Sequence, residues 1–151
     1  MRVFITGMGM VSAFGKSWDE IRAKFELGKN AVKYMRQWDR YEDLNTRLAA
    51  PIEGYECPSS WDRKQLRSLG IVSMYSVEAA GLALRDAGLM RGENLDAASL
   101  DPSVQDGRLG VACGSSTGST ESILAMAKLL ERGENECNVN TYIKMMPHTT
   151  A

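Results

Sequence analysis

Apolar positions fall along this chain in two kinds of block: short runs closed by small residues, and longer runs at helical spacing. Val3-Phe4-Ile5 is a β-branched and aromatic run ended by Thr6-Gly7-Met8-Gly9, and it predicts a buried strand entering a tight turn. Trp18, Ile21 and Phe25 recur at i, i+3 and i+7, which predicts a helix with one core face. Ser17-Trp18-Asp19-Glu20 supplies a capping box at its start, with Ser at N-cap and Glu at N3, and Gly28 closes it. Ala31 to Ser60 is the least regular part, a surface excursion with a short strand near Leu48 to Ile52. Ser59 to Leu89 carries the longest helical signal, with apolar or small residues on nearly every face from Leu66 to Ala87 and Gly88 just beyond its end. A helix that is apolar all round is buried either within a large core or against another subunit. A chain of 151 residues seldom has the mass to surround it.

Met90 to Gly107 is polar, with Asp101-Pro102 and Asp106-Gly107 as turn signals, and reads as a connector. The stretch that organises the chain follows, Arg108 to Arg132. A short apolar run (Leu109, Val111, Ala112, Cys113) leads into a Gly/Ser/Thr turn from Gly114 to Thr120. Then comes a helix from about Thr120 to Arg132, with Ile123, Ala127 and Leu130 on one face and Gly133 as its stop. A strand running through small residues into a helix is a common way to build an α/β site, because the backbone can approach a ligand and the helix start offers unpaired N–H groups. From Glu134 the chain is polar again before Tyr142-Ile143-Lys144-Met145-Met146-Pro147-His148-Thr149-Thr150-Ala151. Two strand–helix units with a third beginning predict a parallel or mixed sheet with packed helices, unfinished at Ala151. Together with the all-apolar helix, that leaves an exposed apolar patch.

Composition narrows the classes of function. Apolar residues make up 44% and charged residues 25%, the values of a soluble globular protein. A net charge of -1 gives no basic patch for nucleic acid. No apolar run approaches the length that crosses a bilayer, and Gly7 and Gly9 come too soon for a signal peptide, so the expected location is cytoplasmic. Cys57, Cys113 and Cys137 lie far apart in a chain with one histidine, which argues against a zinc site or a disulfide framework. Asp39, Arg40, Glu42 and Asp43 mix their signs and read as a solvated cluster rather than an acid–base pair.

The candidate chemistry is thin when read residue by residue. Gly7-Met8-Gly9 begins a dinucleotide fingerprint, but Ser12 stands where the third glycine belongs, and a plain strand-to-helix turn is the better reading. Cys113, before a helix start, has the position of an activated thiol, with His148 as the sole possible base. A small side chain turned into the core explains it better. Ser115, Ser116 and Ser119 lack the spacing of a nucleophile elbow. Trp18 reads as core before it reads as a stacking platform.

Four blocks together carry a family resemblance. Thr6-Gly7-Met8-Gly9-Met10-Val11-Ser12-Ala13-Phe14-Gly15 resembles the N-terminal signature of the β-ketoacyl-acyl-carrier-protein synthases, condensing enzymes of thiolase-like fold. The likeness continues through Trp18 to Gly28, Ser76 to Leu89 and Gly110 to Gly118, in the family's order. The resemblance implies an α/β, incomplete thiolase-like fold, the first third of a synthase, with residues 1–151 an N-terminal part of the synthase N-terminal domain. It implies decarboxylative Claisen condensation of an acyl thioester with malonyl-acyl-carrier protein, without cofactor or metal. In the family the nucleophilic cysteine follows the segment resembling Lys144 to Ala151, and two histidines and a lysine come later. Neither Cys113 nor His148 aligns with them, no catalytic residue is expected here, and the chain alone is expected to be inert. The resemblance makes Ser116, Thr117 and Gly118 a wall of the acyl pocket, with Thr117 at a gating position. It places Met145 and Met146 where the dimer partner's pocket is shaped, although without the resemblance ordinary core packing is the better reading of both methionines. Acyl-carrier protein, acyl and malonyl thioesters, and a homodimer or a heterodimer with a synthase-like subunit are the implied partners. Two other readings stand beside this one: a non-catalytic module pairing with a synthase-like protein, and a small nucleotide-binding domain built on Gly7 and Gly9.

Overall fold

The computed structural model describes residues 2–94, 96–134 and 136–150. Five helices dominate: α1 (Trp18–Glu26), α2 (Arg63–Leu66), α3 (Ile71–Asp86), α4 (Thr120–Arg132) and α5 (Val139–Met145). Between α1 and α2 lies a two-stranded antiparallel sheet, β1 (Lys33–Tyr34) and β2 (Leu48–Ala49), with Lys33 opposite Ala49 and Tyr34 opposite Leu48. Tight 3-10 turns at Ala97–Ser99 and Pro102–Val104 fill the connector, which doubles back so that Met90 bridges Leu100.

The helical spacing sets α1, α3 and α4 close to where the sequence predicts them. Gly88 and Gly133 end α3 and α4 in the left-handed region, both at φ 70°, where a Cβ would be strained. The long helical signal from Ser59 to Leu89 is broken in two, however. Asp62 and Gln65 form a capping box that starts the short α2, and the chain turns again before α3 begins after Gly70. The capping box expected at Ser17 and Glu20 does not form, since Ser17 makes no side-chain cap bond. The Glu20 carboxylate instead lies over Gly15 and pairs with Lys24 at 3.5 Å.

The buried strands expected at Val3–Ile5 and Leu109–Cys113 are not strands among the described residues. A strand exists only with a neighbour that takes up its N–H and C=O groups, and among the described residues no strand pairs with either segment. Val3, Phe4, Ile5 and Val111 remain 75–84% exposed. What fixes the N-terminal segment is α3. A Cβ on Gly9 would stand 2.5 Å from the Ala83 nitrogen and nearer still to the Ala79 carbonyl oxygen. A Cβ on Gly7 would meet the Ala87 nitrogen at 2.6 Å. Asp86 completes the seam by accepting from the Met8 N–H at 2.9 Å. The glycine pair is thus a backbone-to-backbone packing device.

α3 is only partly covered, in keeping with a chain too small to surround an all-apolar helix. Its buried residues are Ser73, Glu78 and Gly81, whereas its larger apolar side chains stay half-covered. Among the described residues the buried apolar side chains are Ile21, Trp61 and Met90. The accessible surface is 11213 Å², against about 7,600 Å² for a folded monomer of this length. The elements are in place, but their apolar faces are open.

Candidate functional site

The small-residue turn and the end of α5 meet. Asn138 and Thr141 form a reciprocal capping box that starts α5, with the Thr141 N–H donating to Asn138 Oδ1 at 3.2 Å and the Thr141 hydroxyl at 3.0 Å from the Asn138 nitrogen. The helix runs until its Lys144 carbonyl accepts the Ser119 N–H at 2.7 Å. Gly118 lies against this turn so closely that a Cβ there would be 2.7 Å from the Lys144 carbonyl oxygen and closer to the Met145 carbonyl. Upstream, Ser115 Oγ donates to the Thr117 carbonyl at 2.5 Å and accepts the Thr117 N–H at 3.3 Å, which folds the loop on itself. Of the five residues expected to form the pocket wall, Gly118 is buried and against Met145, Met145 and Met146 are half-buried, and Ser116 and Thr117 are exposed on the adjoining loop.

The candidate nucleophiles are not arranged for catalysis. Ser119 is 4% exposed and is fixed as the N-cap of α4. Among the described residues Cys113 is exposed rather than turned into a core. It lines a groove of about 460 Å³ along α3 with Val77, Ala80, Leu84 and Met90. His148 is exposed in the 3-10 turn Pro147–Thr150. Trp18 is 50% exposed, so it is not the core residue that its spacing predicts. Among the described residues no group of three His, Cys, Asp or Glu could hold a metal ion. No helix there is long and apolar enough to cross a membrane.

A polar cluster on α3 escaped the sequence reading. Glu78 is 6% exposed, and its Oε1 accepts from Lys16 Nζ at 2.6 Å. The same ammonium lies 4.7 Å from the centre of the Tyr55 ring, which meets Tyr75 edge-on at 4.6 Å. Glu78 Oε2 has no hydrogen-bond partner among the described residues. The signal was present in Ser76 to Leu84, where one acid interrupts an otherwise apolar and small-residue run. The pair ties the Gly15–Lys16 loop to α3. Lys16→Met would leave the carboxylate buried without its counter-charge, and is expected to cost about 2 kcal/mol, discounted for the half-exposed lysine. Urea unfolding of the two proteins checks this, and equal midpoints would show the pair to be idle.

Burial pushes the Tyr55 hydroxyl well above the ordinary tyrosine value of 10.0, and the neighbouring Glu78 carboxylate and Cys57 add to the shift. The folded hydroxyl therefore holds its proton more tightly than the unfolded one. Its stabilisation is complete below pH 10 and is lost as pH rises past that value. Tyr55→Phe is expected to flatten the alkaline fall in stability, read as urea midpoints between about pH 8 and pH 11. Parallel slopes in the two proteins would contradict this.

With this geometry in place, comparison with known proteins is specific. The family profile described as beta-ketoacyl synthase, N-terminal domain, matches residues 1–151. A 3-oxoacyl-(acyl-carrier-protein) synthase 2 of Vibrio cholerae serotype O1 is 29% identical over 133 residues, 87% of this chain and 30% of that protein. A crystal structure of a beta-ketoacyl synthase from Burkholderia phymatum STM815 superposes with a TM-score of 0.84 at 52% identity, over 99% of this chain and 35% of the other. The ishigamide ketosynthase/chain length factor shares the fold, with a TM-score of 0.67 at 20% identity over 97% of this chain and 34% of the other. The fold is therefore part of the thiolase-like α/β architecture, and the chain spans about a third of the proteins that it matches.

Proposed function

The chain belongs to the β-ketoacyl synthase family, and from that premise we propose that residues 1–151 form scaffold, acyl-pocket wall and dimer surface of a 3-oxoacyl-(acyl-carrier-protein) synthase. The site proposed is Ser116, Thr117 and Gly118 on the loop, with Met145 and Met146 at the end of α5. The observation that supports it is the close backbone approach of Gly118 to Met145, which sets the loop beside the methionine pair. Methionine suits an acyl pocket because its flexible, polarizable side chain adapts to chains of different length. The wall's glycine leaves room for backbone to approach backbone. The 52% identity to a beta-ketoacyl synthase over nearly the whole chain supports the assignment.

In the reaction proposed for the whole synthase, an acyl group passes from its thioester to the family's downstream cysteine and frees the donor thiol. Malonyl-acyl-carrier protein then loses CO₂, and the resulting carbanion attacks the acyl carbonyl. The cysteine leaves as thiolate, and the carrier holds the 3-oxoacyl product. Oxyanion stabilisation and the family's two later histidines carry the charge that develops. The present residues contribute by holding the acyl chain in place and away from water, which lowers the entropic cost of bringing the two thioesters together. The reading places the protein in the cytoplasm, as a dimer, in fatty-acid or polyketide-type synthesis.

Because residues 1–151 alone are expected to be inert, the test supplies the full synthase, these residues joined to the segment with the family's downstream cysteine, with acyl- and malonyl-acyl-carrier protein. Mass spectrometry of the carrier is expected to show the 3-oxoacyl product together with release of CO₂. A carrier that stays unextended with every acyl donor tried would end this reading.

A further inference from the structure

Gly70 is the residue from which α3 starts, and its backbone angles, φ −80° and ψ 171°, are open to any L-amino acid. Its missing side chain is therefore a matter of space rather than conformation. Gly70 is buried. A Cβ built there would stand 2.9 Å from the Ser119 Cβ and 3.4 Å from both the Cβ and the carbonyl oxygen of Lys144. Those two residues are themselves joined, since the Ser119 N–H donates to that same carbonyl oxygen at 2.7 Å. The start of α3, the small-residue loop and the last turn of α5 thus close on one point without slack. Ser119 follows Thr117-Gly118 directly, and Lys144 precedes Met145-Met146 directly. A displacement at this point is handed to both halves of the proposed pocket wall, because close-packed atoms pass a shift on instead of absorbing it.

We infer that Gly70 is a positioning residue for the acyl pocket. By carrying no side chain it sets how far the Thr117–Gly118 loop and the Met145–Met146 pair stand from α3, and through that which acyl chain lengths are accepted. It touches no substrate itself. The inference rests on the condensing-enzyme reading above, and its test separates the two.

The full synthase that carries the family's downstream cysteine, its Gly70→Ala variant and the double variant Gly70→Ala with Ser119→Gly are compared with hexanoyl- and dodecanoyl-acyl-carrier protein as donors. The second substitution removes the carbon that the new methyl strikes, and it gives up no cap bond because the Ser119 side chain makes none. Gly70→Ala is expected to change the ratio of kcat/KM between the two donors by about threefold or more. The KM for malonyl-acyl-carrier protein should hold, and the double variant should return the ratio toward its original value. An active Gly70→Ala enzyme with an unchanged ratio overturns the inference and leaves the condensing reading intact. If Gly70→Ala does not fold, the double variant decides: recovery of fold and ratio supports the inference, and failure to recover refutes it. Absence of condensation by the unsubstituted full synthase would sink the condensing reading, and this inference with it.

Discussion

Replacing Gly9 by alanine is expected to destabilise the protein by about 3 kcal/mol or more, the upper end of what overpacking costs. The added carbon would lie 2.5 Å from the Ala83 nitrogen and 2.7 Å from the Leu82 Cβ, with the Ala79 carbonyl oxygen closer still. Two of those three atoms are backbone in the middle of α3, so no side-chain rotamer can swing away. The only relief is to lift the N-terminal segment off the helix, which also gives up the Met8 N–H bond to Asp86. Gly110→Ala is the matched control, since a carbon there meets nothing within 4 Å, and it should fall within about 0.5 kcal/mol of the unsubstituted protein. Guanidinium unfolding of the three proteins measures the contrast. If Gly9→Ala costs no more than the control, the seam is loose and the packing account is wrong. The same protein tests the nucleotide alternative: a thermal shift with ATP or NAD(P) that disappears in Gly9→Ala would revive it.

That glycine pair shows where the sequence is legible and where it is not. The composition of Thr6 to Gly9 announces a tight place, but a sequence cannot say what comes close. Here it is the small-residue face of α3, Ala79, Ala83 and Ala87, far along the chain. Helix ends are better written. Gly133 stops α4 because a left-handed residue turns the chain out of the helix while its N–H still closes on the Leu129 carbonyl at 3.0 Å, and this depends only on neighbouring residues. The Ser17 box fails for the opposite reason. Its motif is local, yet the Glu20 carboxylate goes to Lys24 and the Gly15 loop instead. Val3-Phe4-Ile5 is plainly apolar, but a strand is a property of two segments, and its pattern names no partner. Glu78 is invisible to helical periodicity, which counts apolar positions, whereas the informative residue is the single charge among them. The wall residues were picked out by the family resemblance. That Gly118 rests on the end of α5 was visible in neither periodicity nor composition, because nothing local ties those two stretches together.

The junction at Gly118 is where a single methyl should do most harm to function. Gly118→Ala would place a carbon 2.7 Å from the Lys144 carbonyl oxygen and nearer to the carbonyl of Met145. The obstacle is again backbone. It is also the part of α5 whose Lys144 carbonyl is already held by the Ser119 N–H at 2.7 Å. Either that bond breaks or the loop moves outward with Thr117, so one side of the proposed wall shifts relative to the other. A loss of about 3 kcal/mol in stability is expected, together with a fall on the order of a hundredfold in condensation of a long acyl chain, the usual result of misplacing a reactant by about 1 Å. Gly114→Ala controls for the change of residue, because its carbon would meet nothing within 4 Å. Measured below its unfolding midpoint, Gly118→Ala separates the two effects: a folded protein with unimpaired kcat/KM would show that this loop does not line the acyl path. A folded protein in which long donors suffer more than short ones would place the wall where Gly118 meets Met145, because a shift in the wall penalises most the chain that reaches deepest.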